Sequence, residues 1–266
     1  MKYRFSWFLR LALHFPFTRC LSTLCRLPIP SQATKAKGSQ MQVETEKKAK
    51  RILAIRHGQS EFNVLYEKLP SDEERYHERM KLTDCDVTEL GMYQSREAGK
   101  VLRETVAPRT VDYMMISPLR RALQTASYIL ESFPEKQTTI EISKECAEVM
   151  LYACDIGTPP AALSQEFPDW DFSHLEKFWW PGGKDPGETW TLMQQRKCQE
   201  KDADVSKRID GLKHYLRTLE YENIALVCHG DVIWWLTSEV KADGVRYGTT
   251  AKNGEIIDIT DHIFTL

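Results

Sequence analysis

The chain has no Cys-x-x-Cys pair, and its seven cysteines (Cys20, Cys25, Cys85, Cys146, Cys154, Cys198 and Cys228) are odd in number and scattered. Neither a disulfide framework nor a structural zinc site fits that pattern, and a reducing compartment suits it best. EF-hand spacing is also missing, so no metal and no cofactor is expected. No apolar run approaches the roughly 20 residues that a membrane-spanning helix needs, which excludes stable membrane insertion. No internal repeat is visible, which excludes solenoids and propellers. Acidic residues are absent from positions 1–43, where seven of the 36 Lys and Arg fall. The other 223 residues therefore carry 29 basic against 38 acidic groups, a net charge of −9. Such a surface offers no general attraction for polyanions, so nucleic acid is not an expected partner, and any anion site has to be a local cluster of cations.

What is present is enough to fold. At 266 residues, 42% hydrophobic and 28% charged, the composition suits one large soluble domain. Residues 1–40 are expected to be a targeting segment: Ser6, Arg10 and His14 share one side of a helical wheel opposite Phe5, Phe8, Leu9, Ala12 and Leu13, the basic amphipathic pattern of an organelle transit peptide. Mitochondrion and plastid both fit. A secretory signal is disfavoured by Arg10 inside the would-be apolar stretch, and a surface helix of a cytoplasmic protein is the alternative. The polar stretch 41–50 reads as a linker, and 51–266 as the folded domain.

Within that domain, 51–55 (RILAI), 111–116 (VDYMMI) and 223–228 (NIALVC) are short apolar runs of strand length, each followed by helix-like sequence. Thr88 is expected to cap a helix to about Leu102 that buries Leu90, Ala98, Val101 and Leu102. Ser117 with Pro118 reads as the start of another, with Leu119, Ala122, Leu123, Ala126 and Leu130 on its apolar face. Val205, Ile209, Leu212 and Leu216 mark a third, and 254–259 adds a late strand. The alternation predicts a three-layer α/β/α sandwich around a mainly parallel sheet.

Each of the three strands ends in polar groups that a core would reject: Arg56-His57-Gly58 with Asn63 soon after, Ser117-Pro118-Leu119-Arg120-Arg121, and His229-Gly230-Asp231. Ligands of open α/β sheets bind beyond the carboxyl ends of the strands, so these segments converge on one place. Gly58 and Gly230 are expected to let the backbone turn sharply behind each histidine. Arg121 falls in the first turn of its helix, where a cation is disfavoured unless an anion sits beside it. Arg56, Asn63, Arg121 and His229 together suit a dianion such as phosphate.

These motifs resemble the histidine phosphatase superfamily, also called the phosphoglycerate mutase-like family. RHGQSEFN at 56–63 is similar to its nucleophile motif, DCDVTELGMYQ at 84–94 to its D-x-x-L-T-x-x-G-x-x-Q segment with Val87 in place of Leu, and SPLRRALQTA at 117–126 to its second-arginine motif. His229-Gly230 and NGEI at 253–256 complete the set. The stretch from Glu148 resembles a phosphatase-like branch in which an acid six residues before a Cys-Asp pair, here Cys154-Asp155, donates the proton; Glu145 is the competing acid. The resemblance implies hydrolysis of a phosphate monoester of a small molecule, with His57 as nucleophile, Arg56, Asn63, Arg121 and His229 around the phosphate, and Glu148 as acid. A phosphoglycerate mutase and a non-catalytic phosphate-binding protein are the alternatives. The insert at 66–81 reads as a solvated face or a substrate selector, and the Trp-rich stretch 178–190 as a lid or, in preference, a pin to the core.

Overall fold

A computed structural model describes residues 50–68, 81–135, 137–194 and 197–265. The expected targeting segment, nearly all of the linker and most of the 66–81 insert lie outside the described residues. Strands β1 (Arg51–Arg56), β2 (Tyr113–Ile116), β3 (Thr139–Ile142) and β4 (Asn223–Cys228) are parallel, and β7 (Ile256–Asp258) pairs antiparallel with β1. Their order across the sheet is β3-β2-β4-β1-β7, with β5 (Glu239–Val240) and β6 (Arg246–Tyr247) in a separate hairpin.

The sheet is buried on both faces, as continuous apolar strands require. Leu53, Ile55, Met114, Ile116, Ala225 and Val227 pack on one side against α2 (Glu89–Val106) and α3 (Arg120–Leu130). Ile52, Ala54, Met115, Ile224 and Leu226 pack on the other against α6 (Asp202–Thr218), α7 (Gly230–Leu236) and α8 (Thr260–Phe264). The three-layer architecture is the one the alternation predicts. The preceding helices are α1 (Glu61–Lys68), α4 (Pro160–Glu166) and α5 (Pro186–Gln194).

Several local expectations need correction. Helix α2 is capped by Thr88, whose side chain accepts from Gly91 N–H, but it runs on to Val106 and leaves Leu90 and Val101 half exposed. Its inner face is set by small residues: a Cβ at Gly91 would stand 2.1 Å from the Gln59 carbonyl oxygen, and one at Gly99 2.8 Å from that of Ile129. Close backbone approach thus outweighs the burial of two aliphatic side chains on the flank. Helix α3 starts at Arg120, not at Ser117-Pro118. Asp84, from a distant loop, accepts from Arg120 N–H at 2.8 Å, so the cap is tertiary and Ser117 is left for other work. Strand β3 was not expected, because TIEI is short and mixed; it forms as a parallel edge strand along β2. Neither Gly58 nor Gly230 adopts a left-handed backbone. Gly58 is needed for space, since a Cβ there would meet the Gly91 carbonyl oxygen at 2.3 Å.

The Trp-rich stretch is a pin. Trp179 and Trp180 are buried; Trp179 donates to the Thr158 carbonyl at 3.0 Å and Trp180 to Thr189 Oγ1 at 3.2 Å.

Candidate active site

Register builds the site. Arg56 stands opposite Cys228 across β1 and β4, and Ile116 opposite Val227 across β2 and β4. His57 therefore comes level with His229, while Ser117 comes level with Cys228, one residue short of His229, so that β4 carries His229 between the ends of β1 and β2. The two imidazole rings lie 5.1 Å apart between centroids, and His229 Nε2 is 2.7 Å from Ser117 Oγ.

His57 is buried, and its Nδ1 is 2.7 Å from the Gly58 carbonyl. A carbonyl only accepts, so Nδ1 carries the proton and Nε2 keeps its lone pair. Burial first, and then the charges of Arg121 and Arg56, hold the His57 pKa well below the usual imidazole value. His229 is depressed in the same direction by burial and by Arg121, His57 and Arg56. Both shifts favour the neutral ring.

The loop carrying His57 is clamped by the 84–94 segment and helix α3. Gln94 accepts from Gln59 N–H at 2.8 Å, Thr88 Oγ1 donates to Gln59 Oε1 at 2.9 Å, and Thr125 Oγ1 accepts from Gly58 N–H at 2.9 Å. Asn63 Oδ1 takes hydrogen bonds from Ser60 N–H, Ser60 Oγ and Asn253 Nδ2, each at 3.0 Å. Those donors fix the amide with its oxygen used up and its NH₂ as the remaining donor.

Arg121 is 3% exposed and donates to the Cys154 carbonyl at 2.7 Å and to Asp155 at 3.0 Å. Arg120 points away, toward Glu166 at 2.8 Å and Asp86 at 3.1 Å. Arg56 donates to the Ala251 carbonyl at 2.7 Å, while among the described residues its buried Nε has no hydrogen-bond partner, and neither has His229 Nδ1. Two orphaned polar atoms, both in cationic or donor-bearing side chains beside Arg121, fit an anion.

Glu148 follows the short 3₁₀ turn at Lys144–Cys146 and accepts from Val149 N–H at 2.9 Å. Burial of the carboxyl and the negative charges of Asp231 and Asp155 push its pKa up to about 8, against the pull of Arg121. The same carboxylate acts on Arg56 and Arg121, whereas Glu145 figures in neither environment. Glu148 also borders a groove of about 650 Å³ lined by Lys144, Phe178 and Arg208 among others. The structure thus brings His57, His229, Arg56, Asn63, Arg121 and Glu148 to one end of the sheet. Among the described residues no group of three or more His, Cys, Asp or Glu side chains is arranged to hold a metal, and no helix is long and apolar enough to cross a membrane.

With that geometry in place, the comparison with known families is decisive: residues 52–251 match the histidine phosphatase superfamily (branch 1). The chain belongs to that superfamily. No curated relative matches it. Among solved structures, the ecdysone phosphate phosphatase of Bombyx mori in complex with tungstate is 16% identical over 70% of this chain and 75% of its own, with a TM-score of 0.46. A mycobacterial glucosyl-3-phosphoglycerate phosphatase in complex with VO3 is 22% identical over 70% and 78%, with a TM-score of 0.41. The product of an open reading frame of Mycobacterium tuberculosis is 20% identical over 77% and 99%, with a TM-score of 0.42.

Four further residues of this histidine phosphatase superfamily member were not singled out by sequence reasoning. Asp155 is the buried partner of Arg121, and its other oxygen accepts from Leu151 and Tyr152 N–H at 3.1 and 2.9 Å. Asn253 joins Asn63 to the His57 carbonyl, donating to the latter at 3.0 Å. Asp231, its own pKa raised by burial and by Asp155, biases Glu148. Ser117 touches His229. All four stood inside quoted segments without being assigned to the site; nothing local signalled their contacts with the other site residues, which are long-range.

Proposed function

We propose that the chain hydrolyses phosphate monoesters of small molecules through a phosphohistidine at His57. The observation that carries this reading is the Gly58 carbonyl on His57 Nδ1, which leaves Nε2 as a neutral, unprotonated nucleophile among Arg56, Arg121 and His229. Nε2 attacks phosphorus, an N–P bond forms and the P–O bond to the alcohol breaks. Arg56, Arg121, Asn63 and His229 offset the charge on the equatorial oxygens, the largest contribution in phosphoryl transfer. Glu148, protonated at neutral pH by its raised pKa, gives its proton to the departing alkoxide. Its carboxylate then takes a proton from a water whose oxygen attacks phosphorus, and the N–P bond breaks.

Hydrolysis is favoured over phosphoglycerate mutation because a mutase has to grip a carboxylate near the acid and keep its phosphoenzyme from water. Glu148 is followed by Val149 and Met150, both buried in the core and neither a cation. The test is rapid mixing with a ³²P-labelled ester: label should survive alkali, be released by acid and map to His57, and His57→Ala should be inactive. Retained activity in His57→Ala overturns the mechanism. Interconversion of phosphoglycerates faster than phosphate release from any ester replaces hydrolase by mutase.

A further inference from the structure

His229 Nε2 and Ser117 Oγ lie 2.7 Å apart, and both residues are fully buried. A neutral imidazole has one N–H and one lone pair, so this contact runs in one of two directions, and the direction decides what Nδ1 presents to the site. Ser117 Oγ already accepts from Leu119 N–H at 3.3 Å. Among the described residues the hydroxyl has no acceptor for its own proton other than His229. If Nε2 were protonated, that hydroxyl proton would be buried without a partner, an arrangement that folded proteins avoid.

We infer that Ser117 is a positioning residue: its hydroxyl donates to Nε2 of His229 and holds the ring as the Nδ1–H tautomer, a fixed donor for a phosphoryl oxygen. His229 Nδ1 supports this assignment, because it is buried with no hydrogen-bond partner among the described residues. In a site where Arg56 and Arg121 gather an anion, an N–H at that atom is satisfied by the ligand, whereas a lone pair there repels it. His57 and His229 are then the same tautomer used from opposite ends. The Gly58 carbonyl frees Nε2 of His57 to attack, and Ser117 leaves Nδ1–H of His229 to donate. Accepting from Leu119 N–H uses a lone pair of Ser117 Oγ and leaves its proton for this contact. The inference deepens the phosphatase reading and rests on it for the identity of the ligand.

The experiment is ¹⁵N NMR of the histidine rings in the full chain, paired with binding of orthovanadate. His229 should show a protonated Nδ1 and an unprotonated, hydrogen-bonded Nε2. Ser117→Ala should erase that preference and weaken orthovanadate binding about tenfold to a hundredfold, the range for a hydrogen bond to a charged group; Ser117→Thr, which keeps the hydroxyl, should restore both. In a His229→Ala background, Ser117→Ala should weaken binding no further, since it acts through the ring. A protonated Nε2 in the unmodified protein overturns the inference, as do additive losses in the cycle or a Ser117→Ala protein with unchanged tautomer and affinity. If the tautomer and orthovanadate results hold while no ester is hydrolysed, the assignment to Ser117 stands and the hydrolase reading falls.

Discussion

The two halves of the site are built by different means. The phosphate half, formed by His57, Arg56, Ser117, Arg121 and His229, sits on the ends of three parallel strands whose ladders leave little freedom. The acid half, the connection from β3 to α6 that carries Glu148, contains among its described residues only short 3₁₀ turns and two short helices. It is held by side chains: Arg208 donates to the Glu145 and Ala147 carbonyls at 2.9 and 2.8 Å, Asp155 gathers Leu151 and Tyr152, and Trp179 and Trp180 fill the core beneath. The buried Arg121–Asp155 pair joins the halves. A ladder positions by backbone and tolerates side-chain change, whereas an irregular connection is only as well placed as its few polar anchors.

The largest expected effect falls on the joint. Arg121→Ala should lower kcat/KM by about 10²–10³, the cost of removing one charge-stabilising donor, while Arg120→Ala, whose partners Asp86 and Glu166 face solvent, should stay within about threefold of the unmodified enzyme. Arg121→Ala should also lose about 3–5 kcal/mol of stability, because Asp155 is left buried and unpaired. Rates and urea midpoints measured together on both variants check this, and equal rate losses would show that the joint is not where the halves meet.

A smaller effect isolates the acid half. Glu148 has a folded-state pKa of about 8, above the unfolded 4.5, so the folded state binds its proton more tightly. Its contribution to stability is therefore complete below about pH 4.5 and is lost as pH rises through 8. His57 and His229 act in the opposite sense: their pKa values are depressed on folding, so stability falls as acid protonates the unfolded chain first, below about 6.5. Glu148→Gln should flatten the alkaline loss and leave the acid loss untouched, read from unfolding midpoints between pH 5 and 9 at intervals of about one unit. In kinetics the same variant should lose the alkaline limb of kcat/KM near pH 8 with esters of poor leaving groups.

The smallest effect concerns residues 1–40, which belong to neither half. We propose that they address the protein to an organelle. Deleting them should leave the melting temperature and kcat/KM unchanged, and fusing them to a fluorescent reporter should carry it to mitochondria or plastids. A diffuse reporter removes the targeting proposal.

Much of the phosphate half was legible because its signals are local. An apolar run stopped by Arg-His-Gly or His-Gly marks a strand end on its own, and β1, β2 and β4 form close to where those runs stand. Helix faces were legible where large aliphatics decide them, as in α6, and misread in α2, where Gly91 and Gly99 bring backbones together and turn Leu90 and Val101 outward. The start of α3 was misread for a related reason: a cap from Asp84 lies 36 residues away in the chain.

What the amino-acid sequence determined by itself is the set of parts: the three central strands β1, β2 and β4, the two histidines and two arginines at or just beyond their ends, and the N-terminal segment without acidic residues. These follow from periodicity and residue type, which act over a few residues. Only the tertiary structure decided which nitrogen of His57 is free, that Ser117 meets His229, and that Glu148 rather than Glu145 shares the field of Arg56 and Arg121. Each of those outcomes depends on strand register and on contacts between distant segments. A one-residue change of register would move every side chain to the opposite face without altering any local pattern.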